Sequence, residues 1–400
     1  MATHDPRKAV ELLRNHLATH DQHLVFLFGA GTSCAVLDPA SKTPLIPAVE
    51  ALTKDCGDSL TKASTEYANA WVAIGEECDS LLLSQNIETI LSRVRAKLSA
   101  MGPKDSSLGL SRDKLVDFEK LICDEIAKKV SPAEASIPND IAHDHFAQWL
   151  RRIRRKSPAE VFTTNYDILI ERSLEKAQVP VFDGFSGSHR PFFNAECFED
   201  DSQMPPREWI RLWKLHGSIN WVAVADGVRR RIVRDSSAAH GEMILPSHLK
   251  YDESRKLPYQ ALMDRLRSSL RQPGALLVTC GYSFSDQHIN AIVLDALENQ
   301  PLTHVISLQY GDVDATSELA EMAKRCANFL VLGRGAAVIQ GAWGGWQLTT
   351  PIDSHTGTFM NIAFEPDDST KASGGKLKLG DFNVFCQFLG TMEIAGGVAP

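Results

Sequence analysis

Five consecutive apolar residues, Leu24 to Phe28, stop at Gly29-Ala30-Gly31-Thr32-Ser33. A run this short, apolar at every position and closed by glycine has the pattern of a parallel strand buried on both faces. Ahead of it, Val10, Leu12, Leu13 and Leu17 have the spacing of a short amphipathic helix over Lys8 to His20. Behind it, from about Ala48 to Leu150, the period is helical: Ile87, Ile90, Leu91 and Val94 fall at i, i+3, i+4 and i+7. Leu115–Val130 and Ile141–Ile153 read as two further helices, with breakers at Gly102–Ser107 and Ser131–Ala133. Short apolar runs then return at Glu160–Thr163, Trp209–Leu215, Ile219–Val224, Ala275–Cys280 and His304–Leu308. Helical patterns separate them at Asp167–Gln178, Leu257–Arg271, Gln287–Asn299 and Val313–Cys326.

Strands alternating with helices predict an α/β fold with an open, mostly parallel, Rossmann-like sheet. Residues 1–327 are expected to form that domain, interrupted by a helical insertion at about 48–155 that covers one side of a nucleotide site. After Ala327 the texture changes to glycine-rich, alternating, helix-poor sequence, so 328–400 is expected as a small β-rich C-terminal module with a flexible loop at Asp367–Gly375. No repeat of fixed period is present.

Composition narrows the function classes. The chain has 400 residues, 44% of them hydrophobic and 23% charged, which suits a globular protein with a sizeable core. The formal charge of −8 argues against a dominant nucleic-acid surface, and no direct sequence-specific nucleic-acid binding is expected. The basic run Arg151-Arg152-Ile153-Arg154-Arg155-Lys156 reads as a solvated helix end, and Arg229-Arg230-Arg231 as a charged hairpin or edge. Eight cysteines are scattered with no Cys-x-x-Cys pair, so a zinc ribbon is not supported and no zinc is expected. No signal pattern and no bilayer-length apolar run is seen, so the expected place is the cytoplasm, away from membranes.

Four segments carry candidate chemistry. In Phe-Gly-Ala-Gly-Thr-Ser, Gly29, Ala30, Gly31, Thr32 and Ser33 follow a strand and would hold phosphates. The full Gly-x-Gly-x-x-Gly fingerprint is absent, because position 34 is Cys. In Val-Phe-Thr-Thr-Asn-Tyr-Asp, polar Thr163, Asn165 and Asp167 appear at the end of an apolar strand, where ligands bind in doubly wound sheets. Asn165 has a donor and an acceptor to offer a ribose hydroxyl or a water; it could equally cap the next helix. His216, in Lys-Leu-His-Gly-Ser, is of the residue type able to exchange a proton near neutral pH, although most of the 13 histidines must be bystanders. In Cys-Gly-Tyr-Ser-Phe-Ser-Asp, Gly281 and Ser283 lie where a second nucleotide contact is expected, and Asp286 reads as a helix N-cap.

In this order the four segments resemble the sirtuin superfamily over about residues 20–300, and look most like the sirtuin-like NAD hydrolases of bacterial anti-phage defence. Thr163-Thr164-Asn165-Tyr166-Asp167 stands where sirtuins have Thr-Gln-Asn-Ile-Asp, and His216-Gly217 matches their catalytic His-Gly. The four-cysteine zinc module and the Gly-Ile-Pro-Asp-Phe-Arg segment of sirtuin deacylases have no counterpart here.

The resemblance implies NAD as substrate and Asn165 and His216 as catalytic residues. Asp167 would line the nicotinamide pocket, and Gly281 and Ser283 would meet the adenosine side. With the deacylase segments missing, it implies water as the acceptor of the ribose, giving ADP-ribose and nicotinamide. A protein deacylase or ADP-ribosyltransferase, a non-catalytic NAD or ADP-ribose sensor and a dehydrogenase are the alternatives; for the last, the acidic ribose ligand of the dinucleotide fingerprint is missing. Among defence relatives, the chain's layout is most similar to the subunit that pairs with a HerA-type ring ATPase, which implies a homo-oligomer and such a partner.

Overall fold

The computed structural model describes residues 2–226, 229–235, 258–352 and 357–392. Its spine is a ten-stranded sheet. In chain order the strands are β1 (Ala2–His4), β2 (Leu24–Phe28), β3 (Glu160–Thr163), β4 (Val181–Phe182) and β5 (Ile210–Lys214). Then come β6 (Leu276–Cys280), β7 (His304–Leu308), β8 (Phe329–Leu332), β9 (Ala336–Ile339) and β10 (Ala342–Trp346). They lie side by side as β1-β10-β9-β8-β7-β6-β2-β3-β5-β4. From β8 across to β4 every pairing is parallel, whereas β9 runs antiparallel to both its neighbours. The chain builds outward from β2 through β3 to β5 and β4, then returns to the other side of β2 through β6, β7 and β8. That reversal makes β2 the switch point, and crevices outside strand ends open at such points.

The helices that position the site are α1 (Pro6–Ala18), α2 (Ala30–Cys34), α3 (Val49–Ala63), α4 (Thr65–Ser80), α5 (Ile87–Ala100) and α6 (Arg112–Val130). They are joined by α7 (Ala142–Arg152), α8 (Leu169–Lys176), α9 (Tyr259–Leu270), α10 (Gln287–Asn299) and α11 (Phe382–Gly390). Alternate residues of β2 explain why it is apolar throughout. Phe26 and Phe28 enter one core with Val10 and Leu13 of α1, Phe146 and Trp149 of α7 and Phe385 of α11. Val25 and Leu27 enter the core on the other face with Leu262 and Leu266 of α9 and Ile289 and Val293 of α10. Phe26 meets the rings of Phe146 and Trp149 edge-on at 5.1 and 5.9 Å, a favoured aromatic geometry.

Helices α3 to α6 carry a third core of their own, whose members include Leu60, Ile74, Leu91 and Phe118. That cluster also takes in Tyr166 and Leu169, so the insertion is anchored on the segment that follows β3. A helical insertion was expected over this stretch, and the segment after β3 is where it attaches to the central sheet.

Most elements fall within about three residues of the expected bounds; β2, β3, β7 and α10 match residue for residue. The helix expected over Val313–Cys326 runs only from Glu318 to Arg325, because the Ser317 hydroxyl accepts from Ala320 N and starts it late. The helix expected from Leu257 starts at Tyr259, and Leu257 itself lies outside the described residues. Arg229–Arg231 do lie in a hairpin, pairing antiparallel with Val224–Asp226. The stretch expected as a small β-rich C-terminal module is used differently. Its strands β8, β9 and β10 extend the central sheet, and α11 closes the core over Phe26 and Phe28. Alternation in that stretch signalled strands, but strand pattern alone cannot say which sheet they join, and the helix-poor expectation fails at Gly357–Ala363 and at α11, which the Asp381 side chain caps. Residues 367–374 turn between the paired strands Phe364–Pro366 and Gly375–Leu377.

At the start of β3, Glu160 is fully buried and collects four partners. His23 Nε2 lies 3.0 Å from it, Trp213 Nε1 donates at 2.6 Å, Ser269 Oγ at 2.8 Å, and the Arg265 guanidinium donates twice, at 2.9 and 3.0 Å. Burial pushes the carboxyl upward, but the His23 hydrogen bond and the Arg265 charge overcome it and hold its pKa at about 2. The folded value is below the unfolded one, so its stabilisation is complete above about pH 4.5 and is lost as pH falls toward 2. Glu160→Gln leaves Arg265 short of its counter-charge and should cost about 3 kcal/mol in urea unfolding at pH 7. It should also flatten stability against pH between 4.5 and 2. Unchanged acid sensitivity would remove Glu160 as its source.

Candidate active site

Four neighbouring strands, in the order β6-β2-β3-β5, end on one edge of the sheet, and each of the four sequence motifs begins where one of them stops. β2 runs into Gly29, β6 into Gly281, β3 into the segment Thr164–Asp167, and β5 into Leu215 and His216. The parallel register continues past the strands themselves. Thr164 N donates to Phe28 O at 3.1 Å, and Leu215 N donates to Thr163 O at 2.8 Å. Segments distant in sequence thus meet along one line.

The glycines have a sharper role than the sequence suggested. A Cβ on Gly29 would lie 2.5 Å from Gly281 O, and one on Gly31 would lie 2.6 Å from Gly281 Cα. Gly281 itself has φ of +64°, and a Cβ there would come within 2.5 Å of Thr32 N. The three glycines are needed to seat one loop on the other, backbone against backbone. The N–H groups of Gly29 and Gly31 donate to Cys280 O and Gly281 O at 3.2 and 3.0 Å. These two N–H groups are therefore already paired within the protein.

Asn165 ties the second loop to the third. Its backbone N–H donates to Thr163 Oγ1 at 3.0 Å, and the side chain is buried. Nδ2 is shared by Gly29 O at 3.0 Å, Thr32 Oγ1 at 3.0 Å and Ser33 Oγ at 2.8 Å. Ser33 Oγ in turn donates to Asp167 Oδ2 at 2.6 Å, and Asp167 Oδ1 accepts from Leu169 N at 3.0 Å. Thr32 Oγ1 donates to Gly29 O at 2.9 Å. Every donor of the amide points back into the β2 loop, which fixes the carboxamide plane. Its Oδ1 accepts from no described residue, so an acceptor is held rigidly at the strand ends.

His216 is buried to 3% exposure, and Gly217 behind it has φ of +88°, a turn that favours glycine. Its Nε2 lies 3.1 Å from Asp286 Oδ2. The other carboxylate oxygen, Oδ1, caps α10 by accepting from His288 N at 2.9 Å and Ile289 N at 3.3 Å. Asp286 is therefore the expected N-cap and also orients the imidazole. The sequence had shown only the cap. The loop before it is held by Asn290, whose Nδ2 donates to Phe284 O at 2.7 Å while its Oδ1 accepts from Tyr282 OH at 3.2 Å. That grip sustains the left-handed Phe284, at φ of +57°. Ser283 is exposed, with its hydroxyl 3.1 Å from Ser285 Oγ.

A second residue escaped the sequence reading. Lys214, the last residue of β5, is 1% exposed and donates to the carbonyls of Asp167 and Tyr166 and to Glu171 Oε1 at 2.9 Å. It clamps the Asn165–Asp167 segment from beneath. Burial raises the Glu171 pKa, and the neighbouring Lys214 charge opposes that rise. A charged residue inside the apolar run Leu212–Leu215 was the available signal.

His143, at the start of α7, is fully buried, with both ring nitrogens unpartnered and the ring 5.0 Å from Phe382. Burial lowers its pKa to about 4, so it stays neutral near neutral pH.

The cysteines sit apart: Cys56 and Cys78 in the insertion core, Cys280 and Cys386 under one face of the sheet, Cys326 under the other. Among the described residues no group of three or more His, Cys, Asp or Glu could hold a metal ion, and no helix is long and apolar enough to cross a membrane.

Residues 159–328 match the SIR2-like domain family. The matched segment is less than half of the 400-residue chain and carries β3, β5 and β6, three of the four motif-bearing strand ends. No curated protein matches the chain.

Two outcomes test this geometry. Gly281→Ala forces a Cβ against the Gly31–Thr32 backbone at a left-handed φ, so it should destabilise the fold by about 2 kcal/mol or more in thermal unfolding. A neutral effect would mean that the loops are not in contact. Lys214→Met should cost about 2 kcal/mol by leaving the partly buried Glu171 without its cation, and Lys214→Met with Glu171→Leu should recover much of that loss. No recovery in the double variant would show that Lys214 does not act through Glu171.

Proposed function

We propose that this crevice binds NAD and hydrolyses its N-glycosidic bond, giving ADP-ribose, nicotinamide and a proton. The observation that carries the reading is the rigid, unpartnered Asn165 Oδ1 just past the end of β3, beside a β5 end that carries a carboxylate-oriented histidine. The SIR2-like match over 159–328 supports an NAD-related activity.

Nicotinamide leaves as a neutral molecule from a cationic ring, so bond cleavage needs no general acid. The site has instead to hold the ribose, tolerate an oxocarbenium-like charge and admit one water. Asn165 Oδ1 accepts a hydrogen bond from a ribose hydroxyl or from the attacking water. Asp286 can only accept, so it favours the His216 tautomer protonated at Nε2, which makes Nδ1 the basic atom. His216 takes the proton as water adds to the anomeric carbon, and Asp286 stabilises the resulting imidazolium. Asp167 and Ser33 position Asn165 through their shared hydrogen bond; in this reading Asp167 lines the nicotinamide pocket and Ser33 faces the phosphates.

The proposal extends to the setting. Unrestrained NAD loss kills the host cell, so the activity suits a cytoplasmic anti-phage effector that depletes NAD. Such an enzyme needs restraint, and we infer a homo-oligomer, with a HerA-type ring ATPase as partner.

A product-resolved assay tests the chemistry. Wild type should release nicotinamide and ADP-ribose in equal amounts, and Asn165→Ala and His216→Ala should each lower kcat by about 10²–10⁴. Asp286→Asn should lower kcat by a comparable factor and shift the pH profile, since it allows the tautomer in which Nδ1 is no longer basic and removes the charge that stabilises the imidazolium. Full turnover by both alanine variants would sink the assignment. O-acetyl-ADP-ribose released from an acetylated peptide would move the reading to deacylation.

A further inference from the structure

A cavity of about 500 Å³ opens at the opposite end of the same strands. Ala159 and Ile210, where β3 and β5 begin, form its floor, and Leu150, Ile153, Val179 and Pro180 add apolar walls. Its volume falls in the range of small-molecule sites, about 300–1,000 Å³. From Ala159 to Asn165 the chain advances six residues, about 20 Å at strand rise, so this cavity is separate from the strand-end crevice.

Its charge is uneven. Arg151, Arg154, Arg155, Lys156 and Arg207 line it against Asp21 and Glu208. Both acids are already committed: Asp21 to Lys156 at 2.9 Å and Glu208 to Arg207 at 3.1 Å. Among the described residues no carboxylate forms an ion pair with Arg151, Arg154 or Arg155; Glu208 is close enough to feel the Arg154 charge, but its bond is to Arg207. Arg155 is the telling case. Its guanidinium donates to the carbonyls of Thr19 at 2.8 Å, Gln22 at 3.1 Å and Leu17, and its buried Nε has no partner. Burial alone lowers its pKa, to about 10, so it remains a cation near neutral pH. A partly buried cation answered only by carbonyl dipoles is incompletely compensated, and an incoming anion would relieve that.

The run Arg151–Lys156 therefore does more than end a helix. We propose that this cavity binds a small phosphorylated molecule, its phosphate beside Arg151, Arg154 and Arg155 and its apolar part against Val179, Pro180 and Ile210. The chain's net charge of −8 and the concave, partly apolar walls fit a small ligand better than an extended polyanion.

The test uses the full chain and inorganic pyrophosphate as probe, titrated calorimetrically at low salt. Arg151 and Arg154 are exposed, so Arg151→Gln with Arg154→Gln leaves the fold intact, checked by an unchanged melting curve. The double variant should bind pyrophosphate about tenfold or more weakly than wild type while keeping its turnover of NAD. Equal affinity in the two proteins, or no saturable binding by wild type, overturns the proposal. So does a single-stranded DNA 10-mer that binds more tightly than pyrophosphate and is lost in the double variant, since that would mark a nucleic-acid track.

Discussion

Backbone laid directly on backbone sets the position of everything else at the strand ends. The loop after β2 rests on the loop after β6 with no side chain between them, because Gly29, Gly31 and Gly281 offer none. Two N–H···O bonds then lock the pair. Only with the β2 loop fixed there can the Asn165 amide reach Gly29, Thr32 and Ser33 together, and only then is its oxygen left facing away. The same β6 loop leads into Asp286, which turns His216. The two groups with catalytic potential are thus oriented from opposite sides of one glycine contact.

Much of this was legible in the sequence, and the reasons are specific. Leu24–Phe28 could be read because a strand covered on both faces must be apolar at every position, and the cores around Phe26 and Val25 bear that out. Motif positions could be read because polar residues at the end of an apolar strand have few structural excuses. What stayed hidden was pairing between distant segments. Asp286 looked like a helix cap and is one, but one carboxylate has two oxygens, and nothing local says where the second points. Lys214 lay within a run that otherwise read as buried strand, and its acceptors come from residues more than 40 positions earlier. The glycines pointed to a ligand because a ligand is the familiar neighbour of a glycine turn; that another loop packs against them as well had no local signal.

The fold of the last third follows the same logic. Strands β8 to β10 announce themselves by alternation and glycine, yet only the full sheet shows that they prolong it and that α11 covers β2. Asn383 of α11 donates to Ala35 O at 3.2 Å, so the chain's last described helix reaches the end of α2, next to the crevice. The site is consequently supported by segments from both halves of the chain, with the insertion leaning on Tyr166 from a third direction.

A crystal structure of the His216→Ala variant soaked with NAD tests the central claim most directly. The account predicts intact NAD in the crevice at the ends of β6, β2, β3 and β5, with a ribose hydroxyl or an ordered water within hydrogen-bond distance of Asn165 Oδ1. NAD bound elsewhere, or bound here with its nicotinamide ribose remote from Asn165, would contradict it.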